Sequence, residues 1–302
     1  MRTAMSDTPH TGNEPAGWRG KLAGAALLAA IGAVAWFGIA ALGTRAGLWG
    51  WQTGLETLTL KFGPPLVWAI IGLSLVAGVA ALMKAPRKRP FMMAMAALLV
   101  SGLTQGRLAA HEGQMDRLPP LHDIQTDWSD PITPSDALLT EREATGALNA
   151  IEDDPVISAE ADARWPGLSG RRVAEVQEEA EFVPGEQKSP RATPYPKLAP
   201  LIAPGSVEEG YAAALAAVDG KGWDIVLADP EAGLIEATET SFWYGFKDDI
   251  LIRIRPDDAG VRIDVRSVSR VGLSDLGVNA KRVRDLLDEL EVRLNKAAPA
   301  PE

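Results

Sequence analysis

The chain has 302 residues, a formal net charge of −10 and no cysteine, which excludes disulfides, cysteine-ligated clusters and thiol catalysis. Residues 1–110 contain ten Lys/Arg and three Asp/Glu (net +7), and residues 111–302 contain twenty and thirty-seven (net −17), which sum to −10. An apolar, basic first part before an acidic second part predicts a membrane anchor that carries a water-soluble domain. The acidic part disfavours nucleic-acid binding, because phosphate neutralisation requires a basic surface.

Two long segments, 22–42 and 64–83, contain no charged residue and predict transmembrane helices. At about 1.5 Å per residue, each is long enough to cross a hydrocarbon core of about 30 Å. The first segment begins too late and runs too long for a secretory signal peptide. We therefore predict a cytoplasmic tail, 1–18, followed by a transmembrane region, 19–110.

A third apolar segment, 91–108, is shorter and decides the topology. The loop before it, 84–89, carries four cations, and positive residues in short loops stay in the cytoplasm. The N-terminus is then cytoplasmic as well. If 91–108 crosses the membrane, the acidic part lies outside the cytoplasm; if it is interfacial or re-entrant, the acidic part lies inside. We favour the crossing, with Arg107 reaching the interface.

Residues 111–192 are acidic and punctuated by proline, with twelve acids and four bases between 141 and 186. Such a composition buries little apolar surface, so we expect a largely extended lead-in. One short helix is predicted within 170–182, where Val173, Val176 and Ala180 share a face.

Residues 193–296 predict an α+β domain. Ser206 and Glu209 form a capping box for a helix that Gly220 ends. Period-two alternation predicts four antiparallel strands, at 223–227, 233–243, 249–255 and 261–266. Ser274 is expected to cap a second helix, whose apolar stripe is Leu276, Val283, Leu286, Leu287, Leu290 and Leu294. The predicted fold is thus three transmembrane helices, then a four-stranded antiparallel sheet with two helices packed on its apolar face.

If the isoleucines of these strands point inward, the charged residues between them point outward, onto a solvated face: Arg253, Arg255, Arg262, Asp264 and Arg266. Such charges can simply form cross-strand pairs. The strand-to-helix junction that follows is a stronger candidate, because a helix N-terminus with flanking arginines can hold an anion. The predicted binding residues are Arg266, Ser269, Arg270, Ser274, Asp275, Asn279 and Arg282.

Two segments, IEATETSFWYGFKDDILIRIR (235–255) and RIDVRSVSRVGLSDLGVNAKRVRDLL (262–287), resemble the hallmark segments of the family known as domain of unknown function 1499. LPPLHDIQTDWSDP (118–131) and YPKLAPL (195–201) resemble the preceding blocks of its membrane-anchored members. The resemblance covers roughly 117–290, and the segment 139–192 fits it less well. It implies a bacterial, often multi-span protein without an assigned activity, hence an inner-membrane location with a periplasmic domain.

No catalytic motif emerges. The three histidines, His10, His111 and His122, lack paired metal-ligand spacing, and no G-x-S-x-G, Walker A or G-x-G-x-x-G occurs. We therefore expect no catalytic residue, no metal and no cofactor. The leading hypothesis is a non-enzymatic domain that binds an unknown envelope protein or an anionic ligand.

Two alternatives stay open. One is an envelope hydrolase that uses Ser269, Asp275, Asn279 and Arg282, for which His122 is the available base. The other is a lipid-handling domain, which requires a cavity of about 300–1,000 Å³ lined by Ile and Leu.

Overall fold

The computed structural model describes residues 17–182 and 195–297, and the chain divides into two compact units, Met1–Ala110 and His111–Glu302. The helices of the first unit are α1 (Gly17–Arg45), α2 (Gly63–Met83) and α3 (Lys88–Arg117), and a π-helical segment, Gln52–Lys61, precedes α2. Three helices long and apolar enough to cross a membrane are thereby present, as predicted. Most of the predicted tail, residues 1–16, lies outside the described residues.

The third segment is helical well beyond its apolar part. α3 has 30 residues, about 45 Å of helix, against the 18 residues predicted. Its polar C-terminal part, which includes Gln105 and Arg107, continues the helix, because these residue types have good helix propensity. The last seven residues of α3 belong to the second unit.

The helices of the first unit pack through small residues. Alanines let helix backbones approach closely, which is the usual means of association in membranes. The buried alanines of the cluster that joins the three helices are Ala23, Ala26, Ala30 and Ala33 of α1, Ala77 of α2, and Ala94 and Ala97 of α3. The Arg19 guanidinium donates hydrogen bonds to the carbonyls of Lys84 and Ala85, the latter at 3.1 Å. The start of α1 and the basic α2–α3 loop therefore lie at the same end of this unit.

The second unit contains an antiparallel sheet of six strands. In chain order, the described strands are β1 (Asp123–Gln125), β2 (Glu181–Phe182), β3 (Tyr195–Pro196), β4 (Leu201–Ala203), β5 (Asp224–Asp229), β6 (Leu234–Thr240), β7 (Lys247–Asp257) and β8 (Gly260–Ser269). The sheet order is β1-β8-β7-β6-β5, with β4 also paired to β8, while β2 and β3 form a separate parallel pair.

The four predicted strands are confirmed as β5 to β8. The sheet has six strands instead of four because β1 and β4 both pair with β8, opposite residues 266–268 and 261–263 respectively. Each of these added strands has three residues, which is too short for alternation to identify it in the sequence.

Four further helices belong to this unit: α4 (Asp136–Ala144), α5 (Val173–Ala180), α6 (Val207–Lys221) and α7 (Val278–Ala297). α5 is the short helix predicted within 170–182. α6 begins with the predicted capping box of Ser206 and Glu209. It ends at Gly222, which adopts the left-handed conformation at φ 69°, two residues beyond the predicted stop.

The predicted start of the last helix is wrong by about a turn. α7 begins at Val278, and Leu276 lies before it with a positive φ of 57°. The carboxylate of Asp275, not the Ser274 hydroxyl, accepts the free backbone N–H groups of Gly277 and Asn279. A carboxylate is favoured there because it accepts two such bonds at the positive end of the helix dipole.

The apolar face of the sheet matches its prediction. Isoleucines and valines of β7 and β8 pack against leucines of α7 in one continuous core, which also contains residues of α6. The members of this core on β7, β8 and α7 include Ile250, Ile252, Ile254, Val261, Ile263, Val265, Val283, Leu286, Leu290 and Leu294.

The lead-in departs from its prediction. Up to residue 182 it contains β1, α4, a 3-10 turn (Ala159–Ala163) and α5 instead of a largely extended chain. Its apolar residues Leu121, Ile124 and Trp165 join the main core. Four of its acidic residues, Asp123, Asp127, Asp130 and Glu141, pair with arginines of β7, β8 and the residue after β8, so its composition reflects pairing and not only solvation. Residues 183–192 lie outside the described part.

Candidate functional site

The second face of the sheet, opposite the isoleucines, is built from arginine–carboxylate pairs. Arg266 of β8 binds Asp123 of β1 in a bidentate pair, Nε to Oδ1 at 3.0 Å and Nη2 to Oδ2 at 2.6 Å. Both side chains have 0% exposure. Arg266 also donates to the Ile132 carbonyl at 3.0 Å. A fully buried pair with every partner in place fixes the position of the edge strand.

A second buried carboxylate, Asp249 of β7, receives two guanidinium groups. Arg270 donates to it from Nε at 3.0 Å and from Nη2 at 2.6 Å, and Arg142 of α4 also binds it. The Thr238 hydroxyl donates to the same carboxylate at 2.8 Å. Because Arg270 also pairs with Glu141 at 3.0 Å, this cluster holds α4 on the sheet.

A third buried carboxylate, Asp264, is shared by three arginines. Arg255 and Arg262 approach it at 3.0 and 2.8 Å, and Arg253 at 3.5 Å. Two acids of the lead-in balance the excess charge: Asp127 pairs with Arg262 and Asp130 with Arg255, both at 2.6 Å. The hydrogen bond from Arg255 lowers the pKa of Asp130 below its usual value.

The expectation of a solvated arginine face is therefore corrected. These side chains lie opposite the isoleucines, as alternation predicts, but residues of the lead-in cover them. Arg266 and Asp264 have 0% and 1% exposure. The same period-two pattern arises whether a polar face meets water or a matched polar layer, so alternation could not distinguish the two.

The strand-to-helix junction forms a separate hydrogen-bond cluster. The Asn279 amide accepts from the Ser267 hydroxyl at 2.9 Å and donates to the Ser269 hydroxyl at 3.0 Å. Arg282 donates to the Ser267 hydroxyl at 2.9 Å and pairs with Glu239 and Asp248, both at 2.6 Å. Arg282 therefore ties α7 to the base of the β6–β7 hairpin.

Ser274 and Asp275, two of the predicted binding residues, contact the chain just before β1, Asp275 through its backbone N–H, which donates to the Leu121 carbonyl at 2.9 Å. The Ser274 hydroxyl donates to the Pro119 carbonyl at 3.2 Å. Asp275 accepts from Gly277 and Asn279 at 2.8 and 2.6 Å, and burial raises its pKa to about 6. Burial opposes the charged carboxylate more strongly than these two bonds favour it.

His122 is brought to this junction by β1. Its carbonyl accepts from the Ser269 N–H at 2.8 Å and from the Asn279 amide at 3.0 Å. Burial lowers the pKa of the imidazole below its ordinary value. Among the described residues, no group of three or more His, Asp or Glu is arranged to hold a metal ion.

An open cleft of about 340 Å³ lies at the start of α7. Its described lining is Lys221, Trp223, Glu239, Val278, Lys281, Arg282 and Asp285. Of the seven predicted binding residues, Arg282 alone appears in this lining. Lys221 lies 5.6 Å from the centre of the Trp223 ring and pairs with Glu289 at 2.9 Å. The cleft is thus a mixed-charge site with an aromatic wall.

The seven predicted site residues therefore separate into two groups. Arg266 and Arg270 belong to the buried pairs, and Ser269, Ser274, Asp275, Asn279 and Arg282 belong to the strand-to-helix junction. Sequence reasoning missed Asp123, Asp249 and Arg142, which complete the buried pairs, and Lys221 and Trp223, which line the cleft. An excess of arginine at alternate strand positions was a signal that acidic partners were needed.

The fold and site define a chain with membrane-crossing candidate helices, followed by an α+β domain whose sheet has an apolar and an ion-paired face. A family model described as "Protein of unknown function (DUF1499)" matches residues 123–290, more than half of the chain. The chain belongs to the DUF1499 family, which confirms the resemblance in its sequence. No curated protein and no solved structure matches the chain.

Proposed function

We propose that this DUF1499 protein is a non-enzymatic protein of the bacterial inner membrane, and that its domain binds an anionic group of an envelope partner outside the cytoplasm. The observation that carries the binding proposal is the cleft at the start of α7. Its lining combines the cations Lys221, Lys281 and Arg282 with the ring of Trp223.

The charges of the first unit support the sidedness. Arg19 contacts the loop that contains Lys84, and the same end carries Lys21, Arg87, Lys88 and Arg89. The positive-inside rule places this end in the cytoplasm. With α3 crossing from that end, the second unit follows on the other side.

A C-terminal reporter fusion tests the sidedness. Alkaline phosphatase, which is active outside the cytoplasm, is expected to give activity on the full chain, and a fluorescent protein that matures only in the cytoplasm is expected to stay dark. The reverse pattern would place the domain inside and overturn this part of the proposal.

The chemistry of the cleft favours an anion. The Arg282 side chain is 7% exposed and already bonded to Ser267, Glu239 and Asp248, so it braces the wall of the cleft. The cations of the cleft that solvent reaches are Lys281 and Lys221, whose side chains are 75% and 24% exposed. A dianionic phosphate forms stronger charge-assisted bonds than a single carboxylate does.

Burial argues against binding through the other arginines. Arg266 and Arg270 have 0% and 2% exposure, and carboxylates of the same domain already bind them. We therefore assign them to the stability of the domain.

Photo-crosslinking tests the cleft. A photoreactive residue replaces Val278, which lines the cleft at 50% exposure, and the control position is Asp258 in the β7–β8 turn. We expect a discrete crosslinked product in cells from position 278 and none from 258. Lys281→Glu should remove the product without lowering the melting temperature, since Lys281 is exposed. Equal labelling at both positions, or a product that Lys281→Glu leaves intact, would contradict the proposal.

Neither alternative function gains support from the domain. Ser267 and Ser269 have 0% and 5% exposure and are bonded within the junction, whereas a nucleophile must reach its substrate. The isoleucines and leucines of the core pack against one another, and no Ile or Leu belongs to the described lining of the cleft. Both observations favour a binding role over hydrolysis or lipid enclosure.

A further inference from the structure

The turn of the β6–β7 hairpin carries an exposed aromatic cluster. Four of the six residues between β6 and β7, 241–246, are aromatic. Phe242 and Trp243 are 67% and 56% exposed and pack edge to face, with ring centres 5.1 Å apart. Tyr244 and Phe246 stack at 5.4 Å. Large apolar side chains grouped at a surface point are characteristic of contact sites.

The backbone of this turn is fixed. The Ser241 N–H donates to the Phe246 carbonyl at 2.8 Å, and the Ser241 hydroxyl accepts from the Phe246 N–H at 2.9 Å. Gly245 supplies the left-handed conformation that the turn needs, at φ 70°. The aromatic rings are therefore presented by a closed hairpin, and little conformational entropy is lost when they meet a partner.

The base of the hairpin is bound to α7. Glu239 and Asp248 face each other across β6 and β7, and both pair with Arg282. One more residue pair, Thr240 and Lys247, separates them from the aromatic turn, a distance of about 7 Å along the strands. Among the described residues, two cations lie near the turn, Arg282 and Lys247, and both have carboxylate partners, the latter Glu141 at 3.8 Å. The turn is thus apolar in character and not a basic patch.

We propose that the aromatic turn docks into the headgroup layer of a lipid bilayer, with Phe242 and Trp243 as the inserting side chains. This goes beyond the cleft proposal and does not depend on it. Trp favours the interfacial zone of membranes because its ring is apolar and its N–H is polar. Phe is common on the apolar faces that insert into the same zone. The bilayer is chosen as the occupant because the same chain carries three helices apolar enough to cross it.

The short link between α3 and the sheet supports this choice. Five residues, 118–122, separate the end of α3 from β1. Such a short connection keeps the domain at high effective concentration near any membrane that α3 enters, so even a weak insertion is populated. Since the neighbouring cations are paired, docking is expected to depend little on anionic lipid or on salt.

The absence of cysteine allows a direct test on the full chain. A single cysteine replaces Phe242, carries an environment-sensitive fluorophore, and is reconstituted in phosphatidylcholine vesicles that contain spin-labelled lipid. The matched control is Asp258→Cys, at an exposed turn at the opposite end of β7. We expect blue-shifted emission and several-fold stronger lipid quenching at 242 than at 258. A second chain, Phe242→Cys with Trp243→Ser, should lose at least half of that difference.

Equal quenching at the two positions, or quenching at neither, would overturn the proposal. Quenching at 242 that Trp243→Ser leaves unchanged would overturn it as well, since the dye alone would then be inserting. Both Phe242 and Trp243 are largely exposed, so the melting temperature of each variant should match that of the wild type. Crosslinking from position 278 should persist in Trp243→Ser, which separates a failure of this proposal from a failure of the cleft proposal.

Discussion

The two faces of the sheet are stabilised by different physics. The face toward α6 and α7 is aliphatic, and its residues contribute in proportion to the apolar area they bury. The face toward the lead-in contains three buried carboxylates that bind arginine, Asp123, Asp249 and Asp264. A fourth, Glu236, is bonded by Ser135 instead. Ion pairs of this kind stabilise only when every partner is in place, because an unpaired buried charge is strongly unfavourable. On the first face, the loss in the free energy of unfolding should therefore increase with the size of the group removed. On the second face, even a conservative change of one partner should cause a large loss.

The largest expected effect follows from breaking one buried pair. Arg266→Ala leaves Asp123 charged in a site without solvent, so we expect a loss of about 3–5 kcal/mol in the free energy of unfolding. Urea denaturation of the purified full chain, followed by tryptophan fluorescence, measures it. Arg266→Lys should cost nearly as much, since an ammonium cannot form the bidentate pair. The double change Arg266→Met with Asp123→Leu should cost less than Arg266→Ala alone; a larger loss would contradict this account.

The apolar face provides the graded counterpart. Ile252 has 0% exposure, so Ile252→Ala should cost about 2–5 kcal/mol and Ile252→Val about 0.5–1.5 kcal/mol. The same denaturation experiment applies. A conservative change is therefore mild on this face and severe at Arg266. Equal losses for Ile252→Val and Arg266→Lys would remove the distinction between the faces.

Asp275, at the strand-to-helix junction between β8 and α7, should make the free energy of unfolding depend on pH. Its folded pKa of about 6 lies above the ordinary 3.8, so its contribution is fully present below about pH 3.8 and is lost as the pH rises through 6. Between pH 4 and 7, the contribution of Asp275 to the free energy of unfolding changes by at most about 3 kcal/mol. His122, whose folded pKa is lowered, acts in the opposite direction. The difference between wild type and Asp275→Asn, measured at each pH, isolates Asp275; parallel curves would refute the assignment.

The smallest effect is expected where an ion pair meets solvent. Arg171 pairs with Glu179 at 2.6 Å, and both side chains are substantially exposed. Arg171→Ala should change the free energy of unfolding by less than about 1 kcal/mol. This variant is the control for Arg266→Ala, because each removes one arginine from a pair of the same length. A loss comparable to that of Arg266→Ala would show that burial is not the deciding variable.

The elements of the apolar core could mostly be predicted from the sequence. The length of the uncharged segments identified the three long helices, the alternation of apolar and polar residues identified β5 to β8, and a capping box identified the start of α6. These signals are local, since each depends on residues a few positions apart. β1 and β4 were not predicted, because three residues are too few to show an alternating pattern. Their pairing with β8 also joins residues that are far apart in the sequence.

The ion-paired face could be predicted only in part. Alternation placed Arg262, Asp264 and Arg266 on one side of β8, but nothing local shows that Asp123, 143 residues earlier, is the partner of Arg266. The acidic lead-in was interpreted as solvated because composition counts charges without locating their partners. For the same reason, six of the seven predicted binding residues were placed near a surface, whereas the structure buries them: Arg266, Ser269, Arg270, Asn279, Arg282 and, by its carboxylate, Asp275.

The pairing of β1 with β8 also has a consequence for biosynthesis. At about 5–20 residues per second, a ribosome that has made Asp123 needs roughly 7–30 s to reach Arg266. During that interval the edge strand β1 lacks its partner β8, while the apolar helices upstream are already complete. The candidate membrane helices are therefore synthesised before the sheet closes, and the domain finishes folding only after nearly all of its chain has emerged. A chaperone or translocon that acts on this protein meets the domain in its unfolded form.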